Sequence, residues 1–125
     1  MKYAIIIVRV LLGLMFAVFG LNAFLHFMGK MPEMHGDAGA FMGALINSGY
    51  IYPVALLQVI GGLLLLLGGR FVALGLTLLG PVIVNIVLFH IFLEHNGLPM
   101  AIVVSILAIF LLWVYRYKFP AIFQP

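Results

Sequence analysis

Long apolar runs, separated by short polar breaks, dominate the pattern of hydrophobic and polar positions along the chain. A helix that crosses a bilayer needs about 20 apolar residues. Four runs reach that length, at 3–28, 50–69, 71–93 and 97–116. Arg70 divides what would otherwise be one over-long run, and residues 94–96 form another short break. Because short connections join antiparallel neighbours, the pattern predicts an all-α fold, a transmembrane four-helix bundle of up-down-up-down topology.

The composition identifies the bilayer as the solvent for most side chains. The 125 residues are 66% hydrophobic and 7% charged, whereas soluble domains are roughly 45–50% apolar and about 25% charged. A small domain leaves much of its surface exposed, so a water-soluble fold could not hide this much apolar surface. We therefore expect one membrane domain over residues 1–125, surrounded by lipid.

The basic residues predict how the helices are oriented. Five of the six share one side: Lys2, Arg9, Arg70, Arg116 and Lys118. Lys30 and all three acidic residues fall on the other side. By the positive-inside rule the basic side is cytoplasmic, which places both termini in the cytoplasm of a bacterial cell with this protein in its inner membrane. This distribution also argues against nucleic acid as the partner of a chain with net charge +3.

Two segments of the chain need separate interpretation. The first apolar run is too long for a cleaved signal peptide and precedes no cleavage site, so we expect it to be the first spanning helix. The outer loop, 29–49, contains four apolar side chains on one helical face, Phe41, Met42, Leu45 and Ile46. Asp37 is positioned to cap such a helix. This pattern predicts a short helix that lies in the outer interface or covers the bundle.

Polar side chains within the spans are the candidates for chemistry, because a membrane makes each of them costly. At 1.5 Å per residue, four of them lie roughly 10 Å below the outer surface. These four are Asn22, Gln58, Asn85 and Ser105. Three others lie nearer the outer rim, namely His26, His90 and Glu94. As a set they suggest a small cavity that opens outwards. For any one of the four deeper residues, a hydrogen bond between helices explains the position as well.

The histidines offer proton transfer more readily than metal binding. His90 and Glu94 are four residues apart, a spacing at which a carboxylate fixes the tautomer of an imidazole. Asn85 and His90 are five apart, about 140° around a helix, and cannot face one centre in an ideal helix. His26 with His90 could hold a metal or haem, but no H-x-x-x-H spacing is present. We therefore predict no metal site.

Arg9 and Pro81 are the two positions for which a structural role is expected. Arg9 has no acidic partner on its own side. It must bond backbone carbonyls, tyrosine hydroxyls, lipid phosphate or a partner protein, or extend to the interface. Pro81 removes one backbone hydrogen bond from its helix. Thr77, four residues earlier, is expected to bond back to the same helix.

Three segments of the chain resemble the DoxX family of small bacterial membrane proteins. They are RVLLGLMFAVFGLN at 9–22, QVIGGLLLLLG at 58–68, and PVIVN at 81–85 followed by His90. The resemblance implies a four-helix fold and a link to quinone-coupled oxidoreductases, since the family takes its name from a subunit of a thiosulfate:quinone oxidoreductase. The positions that carry over are Arg9, Asn22, Asn85 and His90. This chain has no cysteine, so a thiol relay would need another subunit.

These observations lead to one leading functional hypothesis and two alternatives. The leading hypothesis is a membrane subunit of a redox system that holds a quinone near Asn22, His26, Gln58, Asn85 and His90. The first alternative is a non-enzymatic membrane factor that binds a lipid or a partner protein. A transporter is a more distant alternative, because four helices would need a homodimer to form a path. No self-contained catalytic motif marks the chain as an enzyme.

Overall fold

All regular structure in the computed structural model is helical over the residues that it describes, 1–25 and 35–123. The α-helices are α1 (Lys2–Leu25), α2 (Gly36–Ser48), α3 (Ile51–Leu67), α4 (Phe71–Phe92) and α5 (Leu98–Val114). Two 3₁₀ segments follow α4 and α5, at His95–Gly97 and Arg116–Phe123. The predicted all-α class is therefore confirmed.

Three helical segments are long and apolar enough to cross a membrane. They are Lys2–Leu25, Phe71–Phe92 and His95–Val114. The 17 residues of α3 form a fourth span only if α3 counts together with α2, which meets it at 88°. This set of helices indicates a multi-pass membrane protein.

Glycines bring α1 and α3 into close antiparallel contact. A Cβ atom at Gly62 would lie 2.6 Å from the Gly13 carbonyl oxygen, and one at Gly20 would lie 2.7 Å from that of Ala55. A step of seven residues along α1, from Gly13 to Gly20, therefore corresponds to a step of seven residues back along α3, from Gly62 to Ala55. Small residues allow helix backbones this close in membranes, so the helix pair depends on the absence of side chains at these positions.

The remaining helices complete the core around this pair. Contacts run from α1 to α3, from α3 to α4, from α4 to α5 and from α5 back to α1. Leu12, Leu65, Val72, Leu79 and Leu111 are the largest side chains that are fully enclosed. In the apolar segment His95–Val114, which contains α5, 17% of the residues are buried, whereas 39% are buried in α4. Most of α5 therefore faces the surroundings of the bundle.

The predicted helix of the first loop exists as α2, but it starts differently from the prediction. His35 precedes the helix in an extended conformation and makes no side-chain cap. Asp37 lies inside the first turn, where a carboxylate favours the helix dipole, so the prediction that Asp37 caps the helix is wrong. The centroid of the Phe41 ring in α2 lies 5.5 Å from the centroid of the Phe89 ring near the end of α4, so the two helices are in contact there.

Candidate functional site

The hydroxyl and amide groups of α4 and α5 bond largely within their own helices. Three side chains donate to the carbonyl four residues earlier: Thr77 to Ala73 at 2.8 Å, Asn85 to Pro81 at 2.9 Å, and Ser105 to Ala101 at 2.8 Å. This is the back-bonding that such short polar side chains adopt in helices. The prediction for Thr77 is confirmed, and each of these three side chains has one donor N–H or O–H group occupied without a ligand.

The four deeper polar residues do not share one surface of the bundle. Asn22 and Gln58 are half-buried in α1 and α3. The α1–α3 register puts Asn22 level with residue 53, so Gln58 lies about 7 Å further along the bundle. Asn85 is exposed on the side of α4 away from its buried residues. Asn85 therefore does not face a cavity shared with the other three residues, and its bond to Pro81 satisfies one amide donor without an interhelical partner.

An apolar cleft of about 410 Å³ lies between α4 and α5. Six aliphatic or small residues line it together with Ser105: Val87, Ile91, Leu98, Ala101, Ile102 and Ile106. Ser105 is the member of the predicted set that borders this cleft, and its hydroxyl hydrogen is already donated to Ala101. The cleft therefore suits a hydrocarbon chain better than a polar group. Sequence reasoning missed its lining, since helices that are apolar on every side carry no periodic signal.

His90 bonds to the backbone of Glu94 instead of its carboxylate. The His90 Nδ1 atom lies 2.9 Å from the Glu94 carbonyl oxygen, whereas the Glu94 carboxylate accepts the Asn96 N–H at 3.1 Å. The expected imidazole–carboxylate pair is absent among these residues because α4 ends at Phe92 and Glu94 is extended. The i, i+4 neighbour relation holds only inside a helix.

The His90 ring also packs tightly against the start of α5. A Cβ atom at Gly97 would overlap the imidazole ring, and the Phe89 ring meets the imidazole edge-on with centroids 5.2 Å apart. His90 thus fastens the turn between α4 and α5. His26, its predicted counterpart, lies outside the described residues, so a joint site for the two remains a prediction.

Arg9 caps the C-terminal end of α3. Its Nη1 atom donates to the carbonyl oxygens of Leu65 at 2.9 Å and Leu66 at 3.0 Å, two of the groups that a helix end leaves without partners. Gly68 makes room, since a Cβ atom there would lie 2.5 Å from Nη1, and its φ of 79° suits glycine. Backbone carbonyls are thus the partners of Arg9 in the structure.

A second arginine is held between aromatic rings at the C-terminal end. The Arg116 guanidinium carbon lies 4.6 Å from the centroid of the Trp113 ring and 4.3 Å from that of Tyr117. Arg116 also donates to the Trp113 carbonyl and the Tyr117 hydroxyl. Such cation–π contacts fit the aromatic and basic belt of a membrane interface. The i, i+3 spacing of tryptophan and arginine is the signal for this contact in the sequence.

Titratable groups do not gather elsewhere in the described chain. No three His, Asp or Glu side chains within 1–25 and 35–123 lie close enough together to hold a metal ion. Among the described residues, the candidate features are the α4–α5 cleft and the turn that contains His90.

One known protein resembles the chain over nearly its whole length. YwoB, an uncharacterized protein of Bacillus subtilis (strain 168), is 33% identical over 122 residues, which cover 93% of this chain and 79% of YwoB. No family model matches the chain, and no solved structure matches it. The similarity to DoxX proteins accordingly stays a prediction.

Proposed function

This chain belongs to the family of the Bacillus subtilis protein YwoB, and on that premise we propose a non-enzymatic membrane factor that holds a lipid acyl chain in the α4–α5 cleft. The protein is a multi-pass component of the bacterial cell (inner) membrane. Its N- and C-termini lie in the cytoplasm, following the distribution of its basic residues.

The proposed arrangement in the membrane is a four-helix bundle in which α3 also spans. The closed series of contacts among α1, α3, α4 and α5 supports this arrangement. The 88° bend between α2 and α3 supports an α2 that lies in the outer interface while α3 crosses. The short α3–α4 and α4–α5 connections support alternating directions.

The apolar cleft is the observation that carries the lipid proposal. Its 410 Å³ falls within the range of small-molecule sites, about 300–1,000 Å³. Aliphatic side chains dominate its walls, and α5, which forms one wall, is the least buried of the three long apolar segments. An acyl chain needs no hydrogen-bond donor and is the neighbour that a bilayer supplies at this depth. It therefore matches the cleft in both chemistry and access.

Filling the cleft tests this proposal. Ile102 lines the cleft and is half-exposed, so Ile102→Trp should occupy the volume without disturbing buried packing. Ile109→Trp, at an exposed position of the same helix outside the cleft, is the matched control. Native mass spectrometry after detergent exchange should find one retained lipid on wild type and the control, and none on Ile102→Trp. Equal retention by all three proteins would refute lipid binding in the cleft.

The second candidate is the quinone-linked redox subunit, which His90 favours. In the tautomer that protonates Nδ1 for the Glu94 carbonyl, Nε2 is a proton acceptor. A hydroquinone hydroxyl is a suitable donor for that nitrogen, and an isoprenoid tail suits the cleft that Ile91 and Leu98 border. Electrons would pass to a redox partner protein.

Identification of the co-purified small molecule separates the two candidates. A bound quinone that is lost in His90→Ala and retained in His90→Gln, together with capture of a dehydrogenase, would support the redox role. A bound phospholipid that is indifferent to both His90 variants would support the non-enzymatic role and exclude the quinone.

A further inference from the structure

Asn85 carries an exposed amide on a largely apolar side of α4. Its neighbours on that side, Pro81, Val84 and Leu88, are exposed as well, while Leu79 is fully buried. Among the described residues, Asn85 has one hydrogen bond, which its amide donates to the Pro81 carbonyl of the same helix. The outward side of α4 is defined by Thr77, Pro81, Val84, Asn85 and Leu88. Its two polar side chains are Asn85 and Thr77, and the Thr77 hydroxyl is donated to the Ala73 carbonyl.

The depth of Asn85 makes lipid a poor neighbour for this amide. Asn85 is the fifteenth of the 22 residues of α4, so it lies about 5 Å from the midpoint of the helix. A carboxamide has two N–H donors and an acceptor oxygen with two lone pairs, and the bond to Pro81 uses one donor. Hydrocarbon chains offer no partner for the others, and polar groups at such depth usually pair with each other.

We propose that the outward side of α4 is the interface of a parallel homodimer, in which the two Asn85 amides bond to each other. A second copy inserted in the same direction brings the same amide to the same depth across a two-fold axis. An amide is self-complementary, since its N–H can donate to the oxygen of its equivalent while its own oxygen accepts in return. The hydrocarbon chains of lipids lack such groups.

The rest of this surface is compatible with close approach of a second helix. The Thr77 hydroxyl is occupied by Ala73, so it needs no partner across the interface. Pro81 has no N–H to satisfy, and Val84 and Leu88 provide apolar contact on either side of the amide. This inference is independent of lipid binding in the cleft. The α4 residues that line the cleft are Val87 and Ile91, and neither belongs to the outward side of α4. It rests on α4 crossing the membrane.

Cysteine cross-linking locates the interface directly. The chain has no cysteine, so each substitution introduces the only thiol. Val84→Cys and Leu88→Cys lie on the outward side of α4. The control is Val103→Cys, an exposed position on α5 that does not line the cleft and lies at a distance from the α4–α5 turn similar to that of Leu88. In native membranes treated with an oxidant, the α4 variants should form disulfide-linked dimers and the α5 variant should not.

Removal of the amide measures its contribution. Asn85→Leu should weaken dimerisation in liposomes, measured by energy transfer between labelled copies during lipid dilution, about tenfold, or about 1.4 kcal/mol. Ser105→Ala, which removes a back-bonded group from α5, should leave the dimer unchanged.

Several outcomes would overturn the proposal. A monomer at every lipid dilution would assign the surface to lipid or to another protein, and equal cross-linking at Val103→Cys would place the contact elsewhere. Cross-linking at Val84→Cys and Leu88→Cys in a chain that keeps Asn85 tests the surface even if Asn85→Leu does not fold. Lipid retention by the cleft is measured separately, so its failure would not be confused with failure of the dimer.

Discussion

Adding one methyl group at Gly62 should destabilise the bundle, whereas the same change at Gly80 should not. A Cβ atom at Gly62 would lie 2.6 Å from the Gly13 oxygen and 2.7 Å from the Ala17 nitrogen. Both are backbone atoms, so no side-chain rotation relieves the overlap, and α1 must move away from α3 by most of an ångström. At Gly80 no atom lies within 4 Å of the added carbon.

The expected energies follow from these distances. Overpacking costs about 1–3 kcal/mol, and the fixed backbone at Gly62 places Gly62→Ala at the upper end of that range. Gly80→Ala gains about 0.5–1 kcal/mol, because alanine loses less backbone entropy in a helix interior. The two variants should therefore differ by about 3 kcal/mol in the free energy of unfolding.

Unfolding in mixed micelles of mild detergent and sodium dodecyl sulfate, followed by circular dichroism, measures this difference. Both variants have the same composition and the same added volume, which makes Gly80→Ala a matched control. Equal midpoints for the two variants, or a more stable Gly62→Ala, would show that α1 and α3 do not pack through these glycines.

Three further predictions concern groups outside the α1–α3 contact. Arg9→Gln should lower the free energy of unfolding by about 2–4 kcal/mol because two carbonyls lose charged donors, with Arg9→Lys less affected; equal values for both would contradict the capping role. Gly97→Ala should displace the His90 ring and cost about 1–2 kcal/mol, and unchanged imidazole resonances in nuclear magnetic resonance spectra would refute this. Phe41→Ala should lower the free energy of local unfolding of α2 by about 0.5–1.5 kcal/mol, because the contact with Phe89 is lost. Amide hydrogen exchange should become faster in α2 only.

Hydropathy was sufficient to locate the helices but not to orient their side chains. The predicted runs at 50–69 and 71–93 correspond to α3 at Ile51–Leu67 and α4 at Phe71–Phe92, because apolar length and the break at Arg70 are local properties. The side of α4 that faces the core depends on the neighbouring helices and is not a local property of the sequence. An apolar residue can face either lipid or the core, so the sequence did not show that Asn85 lies on the exposed side.

The errors near the ends of helices have a different cause. The spacing of His90 and Glu94 implies a shared face only while the helix continues, and the chain leaves the helix after Phe92. For Arg9 the sequence narrowed the partners to four kinds, since no acid lies on its side of the membrane. The choice among them required the register that brings Leu65 and Leu66 beside it.

The shortness of α3 has a consequence for the surrounding bilayer. Its 17 residues extend about 26 Å, less than the ~30 Å of a typical hydrocarbon core. Arg9 lies at the C-terminal end of α3, where its positive charge is beside the last carbonyls. This charge should draw lipid phosphate and water towards the end of the helix. In the proposed arrangement, in which α3 crosses the membrane, the bilayer should be locally thinner next to α3 and the protein should favour thinner membranes, since hydrophobic mismatch costs free energy for each ångström.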